Sequence, residues 1–275
     1  MSGFISMLSD RLPIVNDSNI HTFCPGPGRA YVNGQPMSHG LIPRDRAKEP
    51  GYLYGLEAFG YDLIPESEWD DRLREQEKNK SSLTDLILEV GLPPLDQNGT
   101  SFCWANSSTM AAQILHVKEG QPKVHFSPAS VACPINGFVN QGGWCGQSCK
   151  QIADHGVVPV EMWPANAISR QYYTEEMKKE AAKNRITKWF EGEHRNSKQL
   201  ATCLLLGIPV AVDFNWWSHS VCAIRLVKTR NGYGTEIYNS WGTHYGDQGR
   251  AVIEWPKGIP DDMACPQVIM GRRAA

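Results

Sequence analysis

Residues 97–105 read Gln-Asn-Gly-Thr-Ser-Phe-Cys-Trp-Ala, and this stretch governs how the rest of the chain is interpreted. Two later motifs complement its cysteine, Cys103. His219 lies in a Trp-Trp-Ser-His-Ser-Val run, and Asn239 lies in Tyr-Asn-Ser-Trp-Gly. A thiol, an imidazole and an amide in that chain order, with Gln97 six residues before the thiol, predict a site of nucleophilic catalysis at Cys103.

A cysteine becomes a competent nucleophile when a cation or a helix N-terminus lowers its pKa from about 8.5. Apolar residues recur at helical spacing through residues 104–117, and Gly120 is a suitable stop. Cys103 is therefore expected at the positive end of a helix dipole. We expect His219 to take the thiol proton, which would give a thiolate–imidazolium pair before substrate arrives.

Three further residues have roles that suit this chemistry. Asn239 can accept a hydrogen bond from the far ring nitrogen of His219 and so fix its tautomer and orientation. The indole of Trp241 can cover that bond and exclude water. Gln97 can direct its side-chain amide toward the carbonyl oxygen as it becomes an oxyanion, beside the backbone N–H of Cys103.

Taken together, these motifs resemble those of the papain-like cysteine peptidases. The resemblance implies an α+β fold of two lobes, a helical lobe and an antiparallel β lobe, with the active site in the cleft between them. It also implies that Gly142 and Gly143 offer backbone groups to an extended substrate, and that Trp144 faces the pocket for the side chain two residues before the cut. In isolation, Gly142-Gly143 would be interpreted as an ordinary tight turn.

The chain departs from the family pattern at its disulfides. Thr100-Ser101-Phe102 stands where the family has Cys-Gly-Ser/Ala, and Thr100 and Asn140 replace a bonded pair of cysteines. Cys133 and Cys265 resemble members of the other two bridges, but no cysteine lies near their expected partner positions. Incomplete disulfides favour a reducing compartment.

The chain has eight cysteines in 275 residues. Cys145 and Cys149 are spaced i, i+4, with Cys133 upstream, which is one pattern of a metal site. No histidine shares that spacing and there is no Cys-x-x-Cys pair, so buried thiols are favoured over zinc. We expect neither a metal nor a cofactor.

Composition indicates an ordinary globular protein. A net charge of −2 and a pI near 6.4 give no basic footprint for nucleic acid. No apolar run is long enough for a membrane span, and the first ten residues lack the plan of a signal peptide. The expected location is cytoplasmic or particle-associated.

The chain divides into an N-terminal arm, residues 1–62, and a peptidase domain, residues 63–275. Within the domain, residues 97–195 are predicted to be mainly helical, and Ser197 is expected to cap a further helix. Residues 196–275 form the β lobe, with strands at 209–214, 221–228, 235–238 and 250–255 and a hairpin turn at Asn231-Gly232.

Residues 215–218 form an unusually short connection to His219. The missing length predicts a more open groove, in which the two tryptophans either fill space or pack the lobe interface.

The arm is rich in turn residues, including Cys24-Pro25-Gly26-Pro27-Gly28 and Asn33-Gly34-Gln35-Pro36, and has no long amphipathic helix. It is expected to act as an inhibitory prosegment or as a docking arm on a larger assembly such as a virion.

Three functions remain open. The leading one is a thiol endopeptidase acting on polypeptides. The others are a structural protein with little or no activity, and an amide hydrolase acting on peptidoglycan or isopeptide bonds.

Overall fold

The computed structural model describes residues 12–27, 31–32, 35–36, 38–49 and 61–269. The predicted absence of a signal peptide at residues 1–10 lies outside the described residues, as do Gly28 and Asn33-Gly34 of the arm. The helices of the described part are α1 (Ile20–Phe23), α2 (Glu66–Asn79), α3 (Leu83–Val90), α4 (Cys103–Lys118), α5 (Pro128–Ile135), α6 (Cys145–His155), α7 (Glu175–Ala181) and α8 (Ser197–Leu205). Its strands are β1 (Ile14–Val15), β2 (Tyr31–Val32), β3 (Gln35–Pro36), β4 (Ile186–Glu191), β5 (Val210–Phe214), β6 (His219–Thr229), β7 (Gly232–Tyr238), β8 (Arg250–Glu254) and β9 (Asp262–Ile269).

Helix α4 carries Cys103 at its first position and is enclosed by the rest of the domain. Residues 103–117 are all buried, because strands β5, β6 and β9 and helices α3, α5 and α6 pack against the helix. Small residues such as Ala105, Ala111 and Ala112 allow such close approach. The helix predicted for residues 104–117 is confirmed, and Gly120 follows it with a positive φ of 75°.

Short-range signals set the ends of the neighbouring helices. The side chain of Ser127 accepts a hydrogen bond from the backbone N–H of Ser130, and Pro128 occupies the first turn of α5. Gly156 ends α6 with a φ of 85°, and a β-carbon there would lie 1.8 Å from the carbonyl oxygen of Ala181. Only glycine meets both conditions.

A seven-stranded sheet with the order β1-β8-β7-β6-β5-β9-β4 forms the other half of the fold. Its pairs are antiparallel except β1–β8, which is parallel. The hairpin between β6 and β7 turns just before Gly232, as Asn231-Gly232 predicts. The architecture is thus α+β, as expected, and the arm adds an edge strand to the sheet through β1.

Two large apolar cores correspond to the two predicted lobes. One joins α4, α5 and α6 and contains Cys103, Trp104 and Trp163. The other lies among α8 and the central strands and contains Trp217 and Trp241. Because Cys103 belongs to the first core and Trp241 to the second, the predicted site lies where the lobes meet.

Three details differ from the sequence-based expectations. The side chain that caps α8 belongs to Asn196, which accepts from the Gln199 N–H, rather than to Ser197. The sheet extends beyond the predicted β lobe, because β4 lies within the range expected to be helical. The helices α2 and α3 and the strand β9 were not predicted, although α3 has apolar residues at helical spacing and Ser82 as its N-cap.

All eight cysteines lie in the described part of the chain, where each is a buried free thiol. Among the described residues, no cluster of three or more histidine, cysteine, aspartate or glutamate side chains has the arrangement of a metal site. In the same part of the chain, no helix combines the length and apolar character needed to cross a membrane.

Candidate active site

Cys103 occupies the first position of α4, where backbone N–H groups lack partners within the helix. Its side chain is fully buried between the lobes. The backbone N–H groups of Ser220 and Gly40 and the side chain of Ser220 approach the thiol as hydrogen-bond partners. The helix terminus is therefore placed as the sequence predicts, but two neighbours come from elsewhere in the chain.

His219 and Asn239 meet because β6 begins at His219 and pairs with β7, which ends immediately before Asn239. The Nε2–H of His219 donates to Asn239 Oδ1 across 2.8 Å. The backbone N–H of Ser240 donates to the same oxygen, also at 2.8 Å, which fixes the orientation of the amide. Nδ1 of His219 is consequently unprotonated, and it is buried without a hydrogen-bond partner. This nitrogen is suited to accept a proton.

Trp241 covers this pair. Its ring stacks on that of His219 with centroids 4.4 Å apart and an interplanar angle of 27°. Trp217 meets the ring of His219 from another side, at 4.6 Å, and is perpendicular to Trp241. Both His219 and Asn239 are fully excluded from water. The indole therefore lies where the sequence predicts a shield.

Burial determines the ionisation of the thiol and the imidazole. Desolvation raises the pKa of Cys103 to about 12, opposed by the backbone N–H of Ser220. Desolvation, with the nearby ring of His39 as a second cause, lowers the pKa of His219 to about 3. The neutral thiol and neutral imidazole are thus favoured in this closed state. The expected thiolate–imidazolium pair requires a cleft open to water or substrate, because water or substrate must compensate the two charges.

Gln97, the predicted oxyanion donor, is buried and held by hydrogen bonds at both ends of its side-chain amide. Its Oε1 accepts from the hydroxyl of Ser240 at 2.7 Å, and its Nε2 donates to the carbonyl oxygen of Thr100 at 2.8 Å. The same Nε2 donates to the carbonyl oxygen of Ser38 at 3.0 Å, and so does the indole N–H of Trp241, at 3.2 Å. The donor expected to face a developing oxyanion therefore binds a carbonyl of the arm.

The loop before Cys103 is stabilised without a disulfide. The side chain of Asn140 accepts from the backbone N–H of Ser101 at 2.7 Å and donates to the carbonyl oxygen of Gly99 at 3.3 Å. The hydroxyl of Thr100 donates to the carbonyl oxygen of Gln97 at 2.7 Å. Hydrogen bonds of Asn140 thus connect the segments that a bridge would join, and the Thr100 bond stabilises the loop itself.

The N-terminal arm runs through the cleft, and sequence reasoning did not locate it there. The ring of His39 lies 5.4 Å from that of His219. Gly40 follows beside Cys103, so close that a β-carbon on it would lie 2.0 Å from the Ser101 carbonyl oxygen. Leu41 is buried in the same core as Cys103. The described residues 38–42 therefore occupy the space that a substrate would need.

Gly142 and Gly143 bind the arm, as they were predicted to bind a substrate. The N–H of Gly143 donates to the carbonyl oxygen of Gly40 at 2.9 Å, and the N–H of Ile42 donates to the carbonyl oxygen of Gly143 at 3.0 Å. Together they form a parallel bridge between Leu41 and Gly143. A β-carbon on Gly142 would lie 2.3 Å from the Gly40 oxygen, so this close approach requires glycine. Trp144 is the next residue and is buried.

Asp213 and Ser220 form a buried pair beside the thiol that the sequence did not indicate. The hydroxyl of Ser220 donates to Asp213 Oδ1, and the backbone N–H of Cys145 donates to Oδ2 at 3.0 Å. Burial raises the pKa of Asp213 to about 7, and its charge in turn raises the pKa of Cys103. In the sequence, the sign of this pair is a single acid, Asp213, in the otherwise apolar strand β5.

The short connection before His219 is a four-residue turn, residues 215–218, between β5 and β6. Trp217 is buried and packs on Trp241, whereas Trp216 is partly exposed and stacks on Trp217 with centroids 5.8 Å apart. Trp217 thus packs the core beside His219 and Trp241, and Trp216 covers Trp217 at the surface.

No protein-family model matches the chain, and no curated protein matches it by sequence. Xylellain, a cysteine protease from Xylella fastidiosa, matches its structure with a TM-score of 0.61 and 18% identity over 89% of this chain and 100% of that chain. ProCathepsin B S9 from Trypanosoma congolense matches with a TM-score of 0.59 and 14% identity over 93% and 99%.

The chain has the papain-like fold. A third match, digestive procathepsin L 3 of the Tenebrio molitor larval midgut, has a TM-score of 0.54 and 18% identity. It covers 64% of this chain and 66% of that chain, which is just under two thirds of its length. Within this papain-like fold, the helix carrying Cys103 and the strand carrying His219 come from opposite lobes.

Proposed function

We propose that this chain is a thiol-dependent endopeptidase in which Cys103 is the nucleophile and His219 the acid and base. The observation that carries the proposal is the hydrogen bond from His219 Nε2–H to Asn239 Oδ1, which leaves Nδ1 as a buried acceptor. A histidine so oriented, opposite a cysteine at a helix N-terminus, is the arrangement that thiol acyl transfer requires.

In the proposed reaction, His219 acts in turn as base and as acid. His219 takes the thiol proton, the Cys103 sulfur bonds to the peptide carbonyl carbon, and Gln97 donates a hydrogen bond to the oxyanion. His219 then gives the proton to the leaving amine as the C–N bond breaks, which leaves a thioester. Water, deprotonated by His219, attacks the thioester, and the thiol is released with the carboxylic acid.

We further propose that the arm keeps this site latent. Its residues 38–42 take the Gln97 donor, the Gly143 backbone groups and the space beside Cys103. Its direction supports inhibition, because the arm runs from His219 at residue 39 to Gly143 at residue 41, opposite to a substrate whose leaving amine lies beside His219. Both carbonyl and amide groups of Gly143 are used, so a substrate must displace the arm before it can bind there.

The proposal is tested by labelling the full chain with a peptidyl epoxide in reductant. We expect the wild-type chain to resist labelling and the Gly40→Ala variant, whose arm is displaced, to be modified at Cys103 among the eight thiols. The Cys103→Ala change in the same background should abolish the modification. Proteolytic sensitivity of residues 38–49 reports whether the arm has left. An exposed cleft whose Cys103 stays unmodified would contradict the proposal.

A structural role is the second candidate, in which the arm docks on a larger assembly such as a virion and the site is vestigial. The parallel pairing of β1 with β8 favours an arm that is fixed to its own domain rather than to a partner. An amide hydrolase acting on peptidoglycan or isopeptide bonds is the third. Asn239→Ala should lower hydrolysis under either enzymatic function and leave assembly unchanged under the structural one.

A further inference from the structure

Three carboxylates share one face of the sheet close to the candidate site. Asp213 on β5 pairs with Asp262 on β9, and Glu191 on β4 pairs with Ala264, two residues further along β9. Side chains two residues apart on a strand point to the same face, so the register groups the three acids. Their charges all raise the pKa of the buried Cys145 thiol, in keeping with three carboxylates grouped near one residue. Buried acids so close together require either a proton, as the raised pKa of Asp213 indicates, or a cation nearby.

Arg44 of the arm supplies that cation. Its Nη1 donates to both carboxylate oxygens of Glu191, each at 3.1 Å, and lies 3.6 Å from Asp262 Oδ1. Only 3% of the Arg44 side chain is exposed. Arg46 also binds Asp262, but 40% of its side chain remains exposed. The guanidinium of Arg44 is therefore inserted in a pocket, whereas that of Arg46 lies at the rim.

The pocket is completed by the beginning of α6. The backbone N–H of Cys145 donates to Asp213 and fixes the innermost acid. A β-carbon on Gly146 would lie 2.2 Å from Glu191 Oε1, so the absence of a side chain there gives the carboxylate its room. Side chain and backbone thus both contribute to a site shaped around one guanidinium.

The position of the pocket relates it to the proposed hydrolysis. The arm passes His219 at residue 39, reaches Gly143 at residue 41 and enters the pocket at Arg44. His219 gives its proton to the leaving amine in the proposed reaction, so the leaving group lies on the His219 side. The pocket lies on the opposite side of Cys103, where the acyl part of a substrate would bind.

We propose that Glu191, Asp262 and Asp213 form a substrate pocket for an arginine side chain on the acyl side of the cleaved bond. Arg44 fills this pocket while the arm lies in the cleft. The inference rests on the proposed peptidase function. It adds the chemical class of side chain that the enzyme selects.

Arginine is favoured over lysine in this pocket because a guanidinium is more weakly hydrated than an ammonium and costs less to bury. One guanidinium nitrogen, Nη1, meets both oxygens of Glu191, while Nε donates to the carbonyl oxygen of Glu49 within the arm at 2.9 Å. A lysine ammonium is strongly hydrated, so its burial beside the same acids would cost more. When the arm leaves, the acids lose their cation, and a substrate arginine restores it.

Binding is tested first, by a measurement that does not require activity. In the full chain, Arg44→Ala should lower the midpoint of thermal unfolding, and millimolar N-ethylguanidinium should raise it again. Ethylammonium should restore less, and neutral N-ethylurea should restore nothing. The wild-type chain, whose pocket is filled, should not respond. If the alanine variant does not fold, Arg44→Gln is measured in the same way.

Two controls make the binding result specific. Arg46→Ala should show no recovery with ethylguanidinium, since its guanidinium lies at the rim. Adding Glu191→Gln to Arg44→Ala should abolish the recovery. An equal response in the Glu191→Gln background, or no selective response in either Arg44 variant, would mean that the ion pair is a structural contact only and would overturn the pocket.

Selectivity is tested with two fluorogenic peptides that differ only in arginine or citrulline on the acyl side, which exchanges a charged guanidinium for a neutral isostere. In the Gly40→Ala chain we expect kcat/KM to favour arginine by roughly 10- to 100-fold, because a charged hydrogen bond is at stake. Glu191→Gln should remove most of that ratio. Equal cleavage of both peptides would overturn the pocket. Cleavage of neither, with ethylguanidinium still bound selectively, would overturn the peptidase function and leave a guanidinium site.

Discussion

The ring of His39 meets the ring of His219 edge-on, with centroids 5.4 Å apart. The Nε2 of His39 is hydrogen-bonded to the carbonyl oxygen of Pro25 at 2.9 Å, so the arm itself fixes this ring. Together with burial, this neighbour lowers the pKa of His219 to about 3. The arm therefore opposes protonation of the imidazole that it covers.

Acid should release the arm. In the docked state the pKa of His219 is about 3, whereas in an open cleft it returns toward its ordinary value of about 6.5. The docked state thus binds fewer protons, and its stability falls as pH drops below about 6.5. Proteolytic sensitivity of residues 38–49 should rise from pH 7 to pH 4. His39→Phe keeps a ring that cannot be charged and should weaken this dependence. A flat profile in the wild-type chain would contradict the mechanism.

Gly40→Ala should activate labelling of Cys103 at least tenfold. A β-carbon at that position would lie 2.0 Å from the Ser101 carbonyl oxygen, and backbone cannot yield as a side chain can. Gly26→Ala is the matched control, because a β-carbon on this other glycine of the arm meets nothing within 4 Å. Labelling rates with a peptidyl epoxide check both. Equal labelling rates for the two variants would mean that the arm does not cause the latency.

Gln97→Ala should lower turnover by roughly 10²–10³ in the Gly40→Ala background, with a much smaller change in KM. The reason is that Gln97 is held by Ser240 and Thr100 and is the proposed donor to the oxyanion. Ser240→Ala should have a smaller effect, since it removes one of the two bonds that orient the amide. Peptide hydrolysis measures both. A loss confined to KM would assign Gln97 to substrate binding alone.

Asp213→Asn should stabilise the protein at neutral and higher pH. Burial raises the pKa of Asp213 to about 7, so the folded state holds a proton that the unfolded state loses near pH 4. The contribution of Asp213 to stability is therefore present below about pH 4 and is lost as pH rises through about 7. Since one unit of pKa corresponds to about 1.4 kcal/mol, the loss is on the order of a few kcal/mol.

The difference in unfolding midpoint between Asp213→Asn and wild type, measured from pH 4 to pH 8, checks this expectation. The amide can still accept from the Cys145 N–H and donate to Ser220, so its hydrogen bonds are preserved. The exposed Asp62→Asn serves as a control that should show no such trend. A constant difference in midpoint from pH 4 to pH 8 would contradict the raised pKa of Asp213.

Local patterns predicted the elements that carry the site. The helix beginning at Cys103 follows from apolar spacing, and the hairpin before Gly232 follows from turn chemistry. The His219–Asn239 contact was predicted from the order of the motifs. In the structure it forms because His219 begins β6 and Asn239 follows the end of the paired strand β7. These features depend on residues near one another in sequence, or on a resemblance that specifies their pairing.

Features that depend on long-range pairing were not predicted. Whether Asp213 and Glu191 face one space depends on the order β5-β9-β4, and the sequence gives no sign of that order. The position of the arm depends on pairings between distant segments, such as Leu41 with Gly143 and Arg44 with Glu191. Local patterns in the sequence do not specify which distant residues meet.

The parallel pairing of β1 with β8 has a consequence for how inhibition would be relieved. Because Ile14 and Val15 belong to the same sheet as His219, residues 38–44 can leave the cleft while the beginning of the arm stays attached to the domain. A tethered inhibitor keeps a high effective concentration at any dilution of the protein. Inhibition would then be reversible until the connecting chain is cut, and a cut product would remain a two-chain molecule joined by the shared sheet.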